Sequence, residues 1–487
     1  MLRRAKTWAW IAFAIVCFAV VDAPSHHRFG GAILSSFAFA AVVTWLPKCR
    51  PVAKALLCPW NWALLVFAFQ LIVLPLLINL VGPAVGVLPA LPSTFAVNMA
   101  MVLNTLAFVT ACVTYSCVAS SRAAPDSGWL ERLGHGTDAT RKRRTRWVVL
   151  FGLFGLAGVF LSFGTFASLL EYFNDPAYYR ERLLDLSSTL RGVSGTFLKP
   201  FLGFAVIMLW CECMDAGGKK DSSRLRRSIA AVLMLVGVVV CFSLFSYNRG
   251  AVAVPLIAVA TASFAKGDKV AWRTILSVGL IVLILSPIYA VYRSGSQLGV
   301  DVLAESNSWE MLTGKLDIYD VVEMYGGAPQ YLGFLLERTN WGAEPHWGTV
   351  TASSILSPVP VLGKSFRRES GWAVYNRMIY GTDAIEDQNV PFLGEAFLDL
   401  HITGVVLFFA MFGWVLSRLQ RAFERSRSSL EIYIWQYLSV WICFLILWSV
   451  AVTSQVLVYF CWPIYLFWYL NGRKSDTPIW RLAVQRT

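Results

Sequence analysis

The feature that most constrains this chain is a succession of apolar stretches, each close to the length that crosses a bilayer. A helix spans the hydrocarbon core with about 20 mostly apolar residues. Helices and closed barrels are the structures that satisfy every backbone polar group there. Such stretches lie near 7–22, 29–46, 60–81, 95–119, 147–169, 195–213, 229–247, 250–265, 273–292, 392–416, 430–450 and 454–471. With 57% hydrophobic and 15% charged residues, no soluble domain could hide this much apolar surface. The expectation is an all-α, polytopic integral membrane protein of about twelve transmembrane helices. Its first apolar run follows a short basic start, as a signal peptide would. The DAPSHHR that follows lacks a small-residue cleavage site, so a retained helix is expected.

This division gives nine spans over residues 1–292, a long polar loop over 293–391, three spans over 392–471 and a tail over 472–487. Basic residues accumulate in cytoplasmic connections. With the N-terminus inside, the inner connections and the span ends beside them hold 29 of the 42 Lys and Arg, but only 10 of the 29 Asp and Glu. The heaviest inner runs are Arg141 to Arg144, Lys219 to Arg227 and Arg418 to Arg427. Both termini are therefore expected in the cytoplasm, and the long loop on the outer side of the membrane. The net charge of +13 then belongs to topology and anionic headgroups, and nucleic acid is not expected as a partner. All ten cysteines fall in spans or inner connections, which leaves the loop to be held by packing rather than disulfides. Cys211-Glu-Cys213 reads as structural, and no metal is expected.

The loop is long enough to be functional, and rich in Trp, Tyr, Leu and paired charges it reads as folded, partly helical. A stretch near 170–194 has apolar spacing that suits a short amphipathic helix at the interface, the alternative being a solvated charged face. Ser246-Tyr247-Asn248-Arg249-Gly250 forms a tight hairpin between two spans. An arginine at membrane depth is costly and usually faces an anion, and its planar fork suits phosphate. The alternative is a side chain that snorkels to headgroups. Arg293, where the ninth span ends, is a second such cation, or an interfacial anchor. Together the two arginines could hold a diphosphate, with Tyr247, Asn248, Arg338 and Arg377 as further substrate contacts.

Glu395 lies where the chain is already apolar, in Pro391-Phe-Leu-Gly-Glu395. A partly desolvated carboxylate suits proton abstraction; the alternative is a salt bridge to a loop arginine. His346 and Asp387 are the other candidate bases, and His346 could instead simply pack. No nucleotide-binding glycine loop, zinc-type His/Glu spacing or Gly-x-Ser-x-Gly elbow appears. A transfer reaction outside the membrane would need a donor that arrives activated and lipid-linked.

Three stretches resemble the Wzy-type polymerases, which join lipid-linked repeat units of O-antigens and exopolysaccharides. They are FSYNRGAVAVPL, HWGTVTASSILSPVPVLGK and PFLGEAFLDLHITGVVLFFAMFGWVL, and the similarity covers roughly residues 230–420. The resemblance implies a fold of the GT-C kind and an inverting, metal-independent glycosyl transfer without a cofactor. It implies an undecaprenyl-diphosphate-linked chain as donor and a lipid-linked repeat unit as acceptor, with a chain-length regulator protein as a further partner. Arg249 matches the family's hairpin arginine and Glu395 its acidic position at the span entry; Arg293 matches by position only. An O-antigen ligase shares this architecture, but its pattern has His-Asn where this chain has Gln388-Asn389. A flippase or transporter would place ionisable groups near mid-bilayer, where these spans carry almost none.

Overall fold

A computed structural model describes residues 2–24, 28–46, 58–82, 88, 90–120, 138–165, 167–169, 190–216, 233–234, 236–238, 240, 249–265, 329–339, 344–359, 363–381, 390–426 and 428–472. Every regular element among them is helical. Among the described residues six helices are long and apolar enough to cross a membrane: Pro59–Val81, Thr94–Ala119, Thr145–Phe163, Val193–Asp215, Phe392–Arg425 and Ser429–Ile446. Val450–Tyr459 and Trp462–Tyr469, bent by 49°, make a seventh if they form one broken span. Gly31–Trp45 and Val252–Ala265 are shorter apolar helices. The expected span at 273–292 lies outside the described residues, as does most of that at 229–247.

The chain divides into two compact units. The first takes residues 1–124, 283–424 and 435–456. It contains α1 (Leu2–Asp22), α2 (Gly31–Trp45), α3 (Pro59–Val81) and α4 (Thr94–Ser120). Its buried polar side chains close backbone bonds that an apolar interior cannot. Pro75 has no N–H to offer the Leu71 carbonyl, one turn back. The helix widens there into a π turn over Phe69–Val73, and the Ser35 hydroxyl donates to the Leu71 oxygen at 2.7 Å. Gln420 accepts the Trp60 N–H at the start of α3 at 3.0 Å. Asn98 accepts the Gly31 N–H at the start of α2 at 2.6 Å.

The second unit takes residues 125–282, 425–434 and 457–487. In it, α5 (Asp138–Phe163) packs on α6 (Leu190–Leu198) and α7 (Pro200–Ala216). The approach is so close that a methyl at Gly155 or Gly158 would overlap the backbone of Leu202 or Lys199. Asp215 accepts the N–H and the hydroxyl of Ser429, the latter at 2.7 Å, at the head of the helix Ser429–Cys443. Arg249 opens α8 (Arg249–Ala265). Cys211 is buried and Cys213 exposed, and both are free thiols, as are the other described cysteines.

The expected tenth span differs from its sequence boundaries. Phe392–Arg425 is interrupted at Leu400 (φ −143°, ψ 21°) and His401 (φ 54°, ψ −141°). Phe392 packs on Phe408 and Phe409 with ring centroids 5.4 Å apart. In a straight helix a 16-residue offset would separate them by about 24 Å. A methyl at Gly404 would overlap the Ala396 carbonyl. Residues 392–399 and 402–425 therefore fold back on each other as a helical hairpin. The second arm, about 36 Å long at 1.5 Å per residue, suffices to cross a bilayer alone. The first arm belongs with the preceding loop.

Candidate functional site

That first arm, residues 392–399, is buried on every side. Around it stand helices from the 293–391 stretch: α9 (Pro329–Arg338), α10 (Thr349–Leu356) and α12 (Gly371–Tyr380), with a short α11 (Gly363–Phe366) between the last two. Leu332 and Leu335 of α9 approach Gly394 closely enough to touch a methyl there, at 3.9 and 4.0 Å. The Tyr375 hydroxyl of α12 donates to the Tyr331 carbonyl of α9 at 3.0 Å. Burial pushes the Tyr375 hydroxyl's pKa well above its ordinary value, so it stays a donor.

Two acids one turn apart on the arm, Glu395 and Asp399, are each 0% exposed. Each meets the start of another helix, where unpaired N–H groups favour an anion. Glu395 Oε1 accepts the Val450 N–H at 3.1 Å, at the head of the helix Val450–Tyr459. Asp399 accepts the Val350 N–H at 3.0 Å and the Thr351 N–H at 2.9 Å, at the head of α10. Gly371 closes over Glu395, since a methyl there would overlap the Glu395 Cγ. The Ser354 hydroxyl, which accepts the Gly371 N–H at 2.9 Å, faces the same carboxylate.

The exposed end of this assembly is the turn His346-Trp347-Gly348. The His346 and Trp347 N–H groups donate to the Leu398 and Asp399 carbonyls at 3.1 and 3.0 Å, capping the arm where it stops. Trp347 (φ 53°) and Gly348 (φ 89°) are both left-handed. For tryptophan that conformation is uncommon and costly. His346 is exposed and Trp347 is 77% exposed.

The expected site residues separate accordingly. Glu395 is sealed from solvent and bonded to a backbone N–H, and no arginine among the described residues reaches it. Through that bond it holds the head of the helix Val450–Tyr459. His346 lies at the surface. Arg338 is exposed, its guanidinium 5.1 Å from the Phe334 ring centroid. Arg377 is exposed and donates to the Arg368 carbonyl at 2.9 Å. The backbone of Arg249 starts α8, but its side chain lies outside the described residues, as do Tyr247, Asn248, Arg293 and Asp387. So do Gln388-Asn389 and nearly all of 170–194.

Two residues escaped the sequence reading. Asp399 joins the HWG turn to the arm, and its signal was a second acid four residues after Glu395 in an apolar run. Lys199 is 4% exposed, with Nζ 5.6 Å from the Phe163 ring centroid in the second unit. Its signal was a lone cation inside an apolar stretch. No cluster of three or more His, Cys, Asp or Glu among the described residues could hold a metal ion.

Fold and site together define a helical, membrane-embedded protein in which one span-entry helix is enclosed by a helical loop. Comparison with protein-family models, with curated proteins and with solved structures gives no match to this chain.

Proposed function

We propose that the protein is a membrane glycosyltransferase that polymerises undecaprenyl-diphosphate-linked repeat units of a surface polysaccharide at the outer face of the bacterial inner membrane. One observation carries the reading. Two of the three stretches on which the resemblance to Wzy-type polymerases rests, 346–364 and 391–416, are bonded together at the His346-Trp347 turn and Asp399. The charge asymmetry of the connections supports the orientation.

In this reading an acceptor hydroxyl attacks the anomeric carbon of the donor sugar. The bond to the diphosphate breaks with inversion, and the undecaprenyl diphosphate departs with both bonding electrons. Arg249 and Arg293 stabilise the charge that grows on it. A base must lie within hydrogen-bond reach of the hydroxyl. His346, exposed at the span entry, takes that proton, and Glu395 positions the helices beneath. Arg338 and Arg377 supply further contacts to the sugar chain.

Deleting the gene and separating the surface polysaccharide on a gel tests the reading. Material capped by a single repeat unit is expected. Persisting long chains, or long chains made but left unattached as loss of a ligase would leave them, would contradict it. In the complemented strain, Arg249→Ala should abolish polymer while the protein remains in the membrane. Full-length polymer from that variant would remove Arg249 from the mechanism.

A further inference from the structure

Helix α10 is inside out for an element that faces water. Beside Val350, its buried side carries three hydroxyls: Thr351 and Ser353 are each 6% exposed and Ser354 is 0%. Its open side carries Ala352 and Ile355, the latter 51% exposed, beneath the 77% exposed Trp347, and Thr349, whose hydroxyl is turned back onto the His346 carbonyl at 2.7 Å. A helix in water turns its apolar stripe inward and its polar face out. No residue from 347 to 363 carries a charge. Charge resumes immediately afterwards with Lys364, Arg367, Arg368 and Glu369, all exposed and net positive.

An apolar face, a tryptophan at its edge and a basic flank are the parts of an element that lies in the headgroup–acyl boundary. Asp399 fixes the head of α10 three residues before the spanning arm that starts at 402. That arm exposes Ile402, Leu407 and Met411, each by more than half. We propose that α10 is a lipid-contacting element: Trp347, Ala352 and Ile355 enter the bilayer boundary, and Lys364, Arg367 and Arg368 meet anionic headgroups. The 293–391 stretch is then in part a membrane-seated collar around the span entry, holding His346 at the depth where a lipid-linked diphosphate would sit. The lipid contact itself does not depend on the polymerase reading.

The test uses the full-length protein in bilayer nanodiscs of phosphatidylglycerol and phosphatidylcholine. The photo-crosslinking residue p-benzoylphenylalanine is placed singly at 352, at 355 and, as an aqueous control, at exposed Glu344. Mass spectrometry then counts lipid adducts. Adducts several-fold more abundant at 352 and 355 than at 344 are expected. Equal yields at all three positions, or adducts to a second copy of the chain in place of lipid, would overturn the proposal. Both test positions are exposed, so a misfolded variant is not the expected outcome; one that loses its monodisperse elution is replaced by Ile355→Cys carrying a spin label. Access by a water-soluble relaxation agent exceeding access by oxygen at that label would also overturn it.

Discussion

At the scale of single residues, the acids of the span entry show how much an unusual residue reveals and where that stops. Glu395 stands out in the sequence because a carboxylate in an apolar run is costly unless something receives it. What receives it, the Val450 N–H and the closure by Gly371, comes from residues 55 and 24 positions away that no local pattern connects. The same facts separate two roles. As a helix anchor, Glu395 needs an acceptor oxygen and no charge, so Glu395→Gln should keep nearly all thermal stability and polymer. Glu395→Ala, which leaves a buried N–H unpaired, should cost about 1–3 kcal/mol. Melting of the purified variants, alongside polymer length in cells, checks both. A Gln variant that folds normally but makes no polymer would return Glu395 to the chemistry.

At the scale of elements, apolar length located the helices, and six stand among the described residues as spanning candidates. It could not locate the hairpin at 400–401. Hydropathy runs unbroken through PFLGEAFLDLHITGVVLFF, and no glycine or proline marks the turn. The reversal is set by tertiary partners: the 346–347 N–H groups that cap the first arm, and Gly404, which lets the second arm lie against it. His401 bears the consequence, with φ 54° and ψ −141° in a region populated almost wholly by glycine. Relieving that strain should outweigh the added chain entropy of glycine. His401→Gly is therefore expected to raise stability by about 1 kcal/mol, read as a higher melting midpoint in detergent. A lowered midpoint would mean that the imidazole, which packs edge-on to Phe397 at 5.4 Å, contributes more than the backbone costs.

At the scale of the whole molecule, class was the most legible property, because apolar length and composition leave a chain like this few alternatives to a helical membrane protein. The inside-out α10 was less legible. Its eight residues are too few for a span, and their hydroxyls read as polar loop until the partners of the buried face are known. The proposed activity binds these scales together, with a membrane-seated collar, a span entry it encloses and arginines directed at a diphosphate. The most direct measurement supplies the purified protein, in liposomes, with the undecaprenyl-diphosphate-linked repeat units that accumulate in the deletion strain. The expected product is a ladder spaced by one repeat unit, still carrying the lipid diphosphate and unaffected by a metal chelator. Repeat units recovered unextended, with the protein folded and in the bilayer, would contradict the assignment as a polymerase.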